Sequence, residues 1–254
     1  MKSLKASISG HAARPAHEVA DAKPQYSCHP AHRPLKLAAL LCAVMMAGLL
    51  HAQEISPAEK ILFQADHLQN VAAPQALRYR YLRKDQAGTG FSDQVVVDVG
   101  ARGNDGASAS VRFLSGERQL VLPAVEGVHG NPALLGFLER DIVEMKRLTG
   151  GSANYFRKRI RIAFAEAASV EPVAISYRGQ SLQGTKVSIQ PYLNDPMQEK
   201  MRAYVGKCYV FILGDGIPGA VYQLASVVPG EPAGGGKAGP ALIEETMTLE
   251  ASPR

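Results

Sequence analysis

Residues Leu77 to Leu82 read LRYRYL: Leu77, Tyr79 and Tyr81 alternate with Arg78, Arg80 and Leu82. A period of two places the aromatic residues on one face and the arginines on the other, which predicts a half-buried strand. The pattern spreads outward from there. Val95, Val97 and Val99 repeat it beyond the turn Asp85–Gly90. Val111 and Phe113 repeat it beyond the Gly-rich stretch 100–106, and Gln119 to Leu122 supplies a fourth short strand. Strands at such short spacing predict an antiparallel meander.

Helical periodicity takes over downstream. Asn131-Pro132 forms a cap and a first-turn proline, and Leu135, Leu138, Ile142 and Met145 recur at three and four residues. Arg140 and Glu144 are expected on the solvent side of that helix. Thr149-Gly150-Gly151 ends it. Ser152 caps a second helix, which is expected to bury Phe156, Ile160, Ala163, Phe164 and Ala167.

Strands return after Pro172 with Val173, Ile175 and Tyr177, then Val187 and Ile189. Cys208 to Leu213 (CYVFIL) is apolar throughout and suits a central strand buried on both faces. Ala220–Val228 and Ile243–Leu249 complete the set, separated by a Gly/Pro loop over 229–240. Upstream, Ser56, Pro57 and Glu59 form a capping box opening a helix over Ile55–Asn70, with Ile61, Leu62, Ala65 and Leu68 on its inner face. Strands therefore come in two groups around a helical pair. This grouping predicts an α+β fold: a curved antiparallel sheet of two strand meanders, packed against the central helical pair and an N-terminal helix.

The totals bound the function. Over 254 residues there are 28 Lys and Arg, 23 Asp and Glu, 46% hydrophobic residues and three Cys. That composition excludes a disordered chain and a disulfide-dense scaffold. Leu37 to Leu50 (LAALLCAVMMAGLL) follows Arg33 and Lys36 and precedes Ala52. As a helix it would reach about 21 Å, too short for the ~30 Å hydrocarbon core. A basic flank, a short apolar run and a closing small residue are the marks of a secretory signal peptide. Residues 1–52 are accordingly expected to be a leader, cleaved after Ala52. The mature chain is then a single domain over 53–228, with the loop and closing strand over 229–254. The expected location is the periplasm, with no membrane span after cleavage.

Without the leader, 28 basic against 23 acidic residues becomes 22 against 21. The case for nucleic acid disappears with that excess.

Chemical signatures are few. Gly214-Asp215-Gly216-Ile217-Pro218-Gly219 matches G-x-G-x-x-G, but a strand follows it where a dinucleotide site needs a helix N-terminus. A strand-to-strand connection is the better reading. His67 and His129 are the only imidazoles beyond the leader, and no catalytic residue, metal ligand or cofactor is assigned. Glu139, Asp141 and Glu144 read as a solvated face balancing the basic residues of the helical pair.

Two features point to binding. Arg157, Lys158, Arg159 and Arg161 crowd one helix, with Lys146 and Arg147 ending the helix before it, so Arg157, Arg159 and Arg161 are candidates for an anionic head group. Tyr79, Tyr81, Phe113 and Tyr177 fall on strands and are candidates for lining an apolar hollow beneath the helices.

The arrangement resembles the LolA-type periplasmic carrier superfamily. What carries the likeness is the exported start, the opening helix to Asn70, the strand Leu77-Arg78-Tyr79-Arg80-Tyr81 and the strand-rich end through Ile217-Pro218-Gly219. It implies a curved sheet covered by helices over an apolar cavity, and a role in carrying lipids or lipoproteins. The chain is similar also to exported proteobacterial proteins of unassigned activity. The expected function is a non-enzymatic protein binding an apolar or amphipathic ligand, a lipid or lipoprotein. The alternatives are a structural or assembly partner of a cell-envelope complex, docking through the basic helix, and a hydrolase in which His129, Asp215 and a carboxylate converge.

Overall fold

In the computed structural model, which describes residues 54–231 and 239–251, the alternation at Leu77–Tyr81 lies in β1 (Gln75–Asp85), where Leu77, Tyr79 and Tyr81 are buried and Arg78 and Arg80 exposed. It is followed by β2 (Phe91–Gly103) and β3 (Gly106–Phe113). Two short strands, β4 (Leu120–Val121) and β5 (Val125–Val128), both pair with β3. The second meander is β6 (Ser169–Tyr177), β7 (Gln180–Ile189), β8 (Cys208–Leu213) and β9 (Val221–Val228).

β10 (Ile243–Leu249) joins the two groups by pairing with β1 on one side and β9 on the other. The path β4-β3-β2-β1-β10-β9-β8-β7-β6 is antiparallel at every step and open, with β6 as a free edge. Pro172 sits in β6, an edge strand being where a missing N–H is tolerated. The fold is α+β with a curved antiparallel sheet.

The helices cover one face. The Asn131 side chain accepts from Ala133 N at 3.1 Å to start α2 (Pro132–Thr149), and Gly150 ends it in the left-handed region at φ +71°. Ser152 caps α3 (Ala153–Glu166) through Tyr155 N at 3.2 Å. Phe137 of α2 and Phe156 and Phe164 of α3 are buried in the same core as Tyr79, Tyr81, Phe113, Tyr209 and Phe211 of the sheet. Ring pairs such as Phe164–Phe211 at 5.4 Å and Tyr81–Phe113 at 6.1 Å bind this core laterally.

Several expectations change. The opening helix is short: α1 covers Pro57–Glu59 and continues only as a wide π turn over Lys60–Gln64. The capping box is present, with Ser56 N donating to Glu59 Oε2 at 3.0 Å and Glu59 N to Ser56 Oγ at 3.1 Å. The helix stops because its hydrogen bonds are diverted. In an α-helix Ala65 N would donate to Ile61 O. Here it donates to Lys60 O at 3.0 Å, and the Ile61 carbonyl is taken by His67 Nε2 at 2.7 Å.

Leu138, Ile142 and Met145 face inward as expected, but Leu135 faces solvent. Arg140 and Glu144 are not on the solvent side either; both are drawn under the helix by partners on the sheet. β5 lies between the fourth predicted strand and the Asn131 cap, where the pattern marks no element, and β6 begins at Ser169, before Pro172. The leader, its apolar run and the Ala52 cleavage point lie outside the described residues, as do positions 232–238 of the Gly/Pro loop.

Candidate binding groove on the helical face

The four strand aromatics proposed to line a hollow are packed side chains. Tyr79, Tyr81 and Phe113 are fully buried and Tyr177 nearly so. Tyr79 OH accepts from Asn131 Nδ2 at 2.8 Å, and burial pushes its hydroxyl pKa upward. Tyr81 stacks on Phe91 at 5.8 Å. Phe113 lies against Gly136 of α2, and Tyr177 meets Tyr222 edge-on at 6.5 Å. None of the four lines the clefts around Arg161, Tyr155 or Thr248, which open on the surface.

The three arginines of α3 part company. Arg157 lies across the groove between the helices, with Nε 2.8 Å and a terminal nitrogen 2.6 Å from the two oxygens of Glu139. Arg159 turns inward. Its Nε is 2.8 Å from Asp195 Oδ2, close enough for an ion pair but off the line of a hydrogen bond, and a terminal nitrogen donates to Pro191 O at 3.2 Å. Asp195 is completed by the Tyr155 hydroxyl and by Met197 N at 2.7 Å. Arg159 therefore pins the segment after β7 to α3 and is not offered to a ligand. Arg161 and its neighbour Lys158 are exposed and form no ion pair among the described residues.

Arg161 borders two adjoining clefts. One, of about 360 Å³, runs between α2, α3 and the π turn, with an apolar lining of Phe63, Leu135, Leu138, Ile142, Ile160 and Phe164. Glu59, Glu139, Arg157 and Arg161 supply its charges. The second, of about 460 Å³, holds Lys158, Glu54, Glu166 and Ile55 and shares Glu59 and Arg161 with the first. Apolar side chains stand out in this region: Leu135 is 57% exposed, Val143 on the same face of α2 is 56%, Ile55 44% and Phe63 43%. A rimmed apolar concavity of this size is in the range that binds small ligands.

The polar groups singled out from the sequence are structural or surface pairs. His67 is buried, and Asn131 N donates to its Nδ1 at 3.1 Å. His129 Nδ1 lies 3.0 Å from Asp66, which also pairs with Arg102. Those interactions hold the Asp66 carboxyl below its ordinary range against the opposing effect of desolvation. Asp215 is exposed, and its backbone carbonyl is held by Asn70 Nδ2 at 2.8 Å. The Gly214–Gly219 stretch is a strand-to-strand connection, closed by Gly214 N to Ala220 O at 2.9 Å. Among the described residues no group of three or more His, Cys, Asp or Glu is placed to hold a metal, and no helix is long and apolar enough to cross a membrane.

Sequence reasoning missed a buried charged network beneath α2. Asp141 pairs with Lys207 and accepts from Tyr209 OH, and both ions are almost wholly buried. Ser226 Oγ lies 3.4 Å from both Asp141 and Glu245. Glu245 on β10 receives Arg83 and Arg140, each at 2.8 Å. Those cations, with Lys207, hold its carboxyl below the usual glutamate range although burial opposes this. Glu144, read as solvated, bonds Arg147 at 2.8 Å and Arg83 at 3.4 Å. The exposure of Leu135 was missed too; the signal available was that the apolar set on α2 is too wide for one inward stripe.

A scan against protein-family models finds no match to this chain, and a search of curated proteins finds none either.

Proposed function

We propose that this is an exported, non-enzymatic periplasmic protein that binds an apolar or amphipathic ligand, a lipid or lipoprotein, in the groove between α2 and α3. The observation that carries this reading is the groove itself: six apolar side chains around about 360 Å³ of open space, with Arg161 beside it. The core between sheet and helices holds its own aromatic rings, which favours a ligand on the outside of the helical layer. Native mass spectrometry of periplasmic material tests the reading. A co-purified acyl-bearing species that Leu135→Asp removes, with the fold retained, is the expected result. Protein that emerges ligand-free and takes up no acyl compound in vitro sinks it.

A second reading, docking to a cell-envelope partner through the basic helix, draws on the exposed Leu135 and Val143 beside the exposed Lys158 and Arg161. It predicts that Lys158→Glu with Arg161→Glu changes the set of proteins recovered by crosslinking in the envelope.

A further inference from the structure

The charged network beneath α2 holds a primary amine against a carboxyl group, out of reach of solvent. Lys207, the residue before β8, is 3% exposed and Asp141 on α2 is 1% exposed, and Lys207 Nζ donates to Asp141 Oδ1. The other carboxyl oxygen, Oδ2, accepts from the Tyr209 hydroxyl. Burial, reinforced by the Asp141 charge, pushes the Tyr209 pKa up, so that hydroxyl keeps its proton.

A second carboxylate stands behind the pair. Ser226 Oγ lies 3.4 Å from Asp141 Oδ1 and 3.4 Å from Glu245 Oε2. Arg83 and Arg140 hold the other oxygen of Glu245, Oε1, at 2.8 Å each. Oε2 is thus turned to Ser226, and the two carboxylates are linked through one hydroxyl. Two buried charges gain little as an ion pair once their desolvation is counted, whereas an amide in the same place carries no charge. Holding the amine on the carboxyl also supplies the proximity that a condensation in water lacks.

From this constellation we infer that the side chains of Lys207 and Asp141 condense to an amide, a covalent cross-link between α2 and the start of β8 that forms once the chain has folded. The ammonium first passes one proton to Asp141 Oδ1, which leaves a neutral amine and a carboxylic acid. The Nζ lone pair then attacks Cγ, and the Nζ–Cγ bond forms. Negative charge gathers on Oδ2, where the Tyr209 hydroxyl meets it. A second proton leaves Nζ and reaches Oδ1 by way of Ser226 and Glu245. The Cγ–Oδ1 bond breaks and Oδ1 departs as water. One ammonium and one carboxylate become one amide and one water, with no oxidant and no change in net charge. The cross-link joins positions 66 residues apart and is independent of the groove reading above.

Peptide mapping of the denatured, digested full chain by mass spectrometry tests the bond. The expected product is a branched peptide joining the segments around Asp141 and Lys207, lighter by one water than the two linear peptides together. Recovery of both segments only as linear peptides overturns the inference, as does a water lost within a single linear peptide. Lys207→Arg keeps the charge pair without the amine and is expected to give no branched species; a branched peptide that persists there overturns the assignment of the nucleophile. In chain made by cell-free synthesis, Ser226→Ala is expected to slow the appearance of the branched peptide about a hundredfold. An unchanged rate overturns the relay through Ser226. Should either variant fail to fold, the wild-type map alone decides whether the bond exists.

Discussion

At the scale of single residues, the polar interior divides into groups that respond to pH in different windows. His67 is neutral in the folded chain: Asn131 N–H occupies Nδ1, so Nε2 carries the proton given to Ile61 O. Burial is the largest influence on the ring and holds its pKa below the ordinary 6.5. Below that pH the unfolded chain takes up a proton that the folded chain refuses. The stability tied to His67 is therefore present above pH 6.5 and lost as pH falls. Urea unfolding at pH 7.5 and 5.5 should show a loss of order 1 kcal/mol. His67→Gln, which keeps an acceptor and a donor, should flatten that difference; an unchanged slope in the variant would assign it elsewhere. Asp66, Asp93, Glu144 and Glu245 are all shifted downward, so their contributions persist to lower pH and are lost only below about 4.5. Lys207 and Asp141 form a buried ion pair in which each compensates the burial of the other. Lys207→Met leaves the Asp141 carboxylate with hydroxyl partners alone and should cost about 3–5 kcal/mol. Asp141→Leu with Lys207→Met should cost less than the sum of the single variants by about 1 kcal/mol or more in a denaturant double-mutant cycle. Strict additivity would show the pair to be energetically idle.

At the scale of elements, α2 shows how far periodicity carries and where it stops. Both of its ends are legible, in Asn131-Pro132 and in Gly150. Its phase is not, because the inner face includes Asp141 and Gly136 while Leu135 is turned out. A carboxylate reads as a surface residue until its partner is known, and Lys207 lies 66 residues downstream of Asp141. Arg140 likewise finds Glu245 at a separation of 105 residues. Only the sheet register brings such groups together, and no local pattern encodes it. The π turn after α1 has the same origin: the capping box is local and readable, whereas the competition of His67 for the Ile61 carbonyl depends on where Asn131 arrives. Gly136 offers a test of how closely α2 sits on the sheet. A Cβ there would come 2.6 Å from Phe113 Cδ2 and 3.1 Å from Leu122 Cδ1. In a free helix Gly→Ala favours the folded form by about 1 kcal/mol. In this contact Gly136→Ala should instead destabilise by about 1–3 kcal/mol through overpacking. A raised melting temperature for this variant would mean that α2 shifts off β3 at little cost.

At the scale of the whole molecule, the grouping of strands into two meanders was legible from period-two stretches such as Leu77–Tyr81 and Val95–Val99, and Ile243–Leu249 was legible as a closing strand beyond the Gly/Pro loop. Only the residue types of the candidate site were legible: Arg161 borders the groove, Arg157 and Arg159 are occupied by carboxylates, and the aromatic set lies in the core. The reason is that side-chain type fixes neither partner nor phase. Among the described residues the meanders share no hydrogen-bonded ladder except through β10, which runs from Tyr79↔Leu249 to Asp85↔Ile243 on one side and from Gln223↔Thr248 to Val228↔Ile243 on the other. β10 also carries Glu245, where Arg83 and Arg140 meet. A chain ending at Pro229 would open β1 and β9 as two bare edges and strand both arginines beneath α2. Such a chain should lack cooperative unfolding and aggregate, and a synthetic peptide covering 239–251 should restore the fold by adding the strand in trans. The loop should behave in the opposite way. Gly230 already lies against Pro240, and Gln86 Nε2 holds the Pro240 carbonyl at 3.0 Å. Removing 232–238 therefore joins two ends that are close together, at small cost in loop entropy. Thermal melts of the two deletions decide the matter: the loop deletion should melt within a few degrees of the full chain, and a cooperative transition in the chain ending at Pro229 would show that the two meanders hold together without β10.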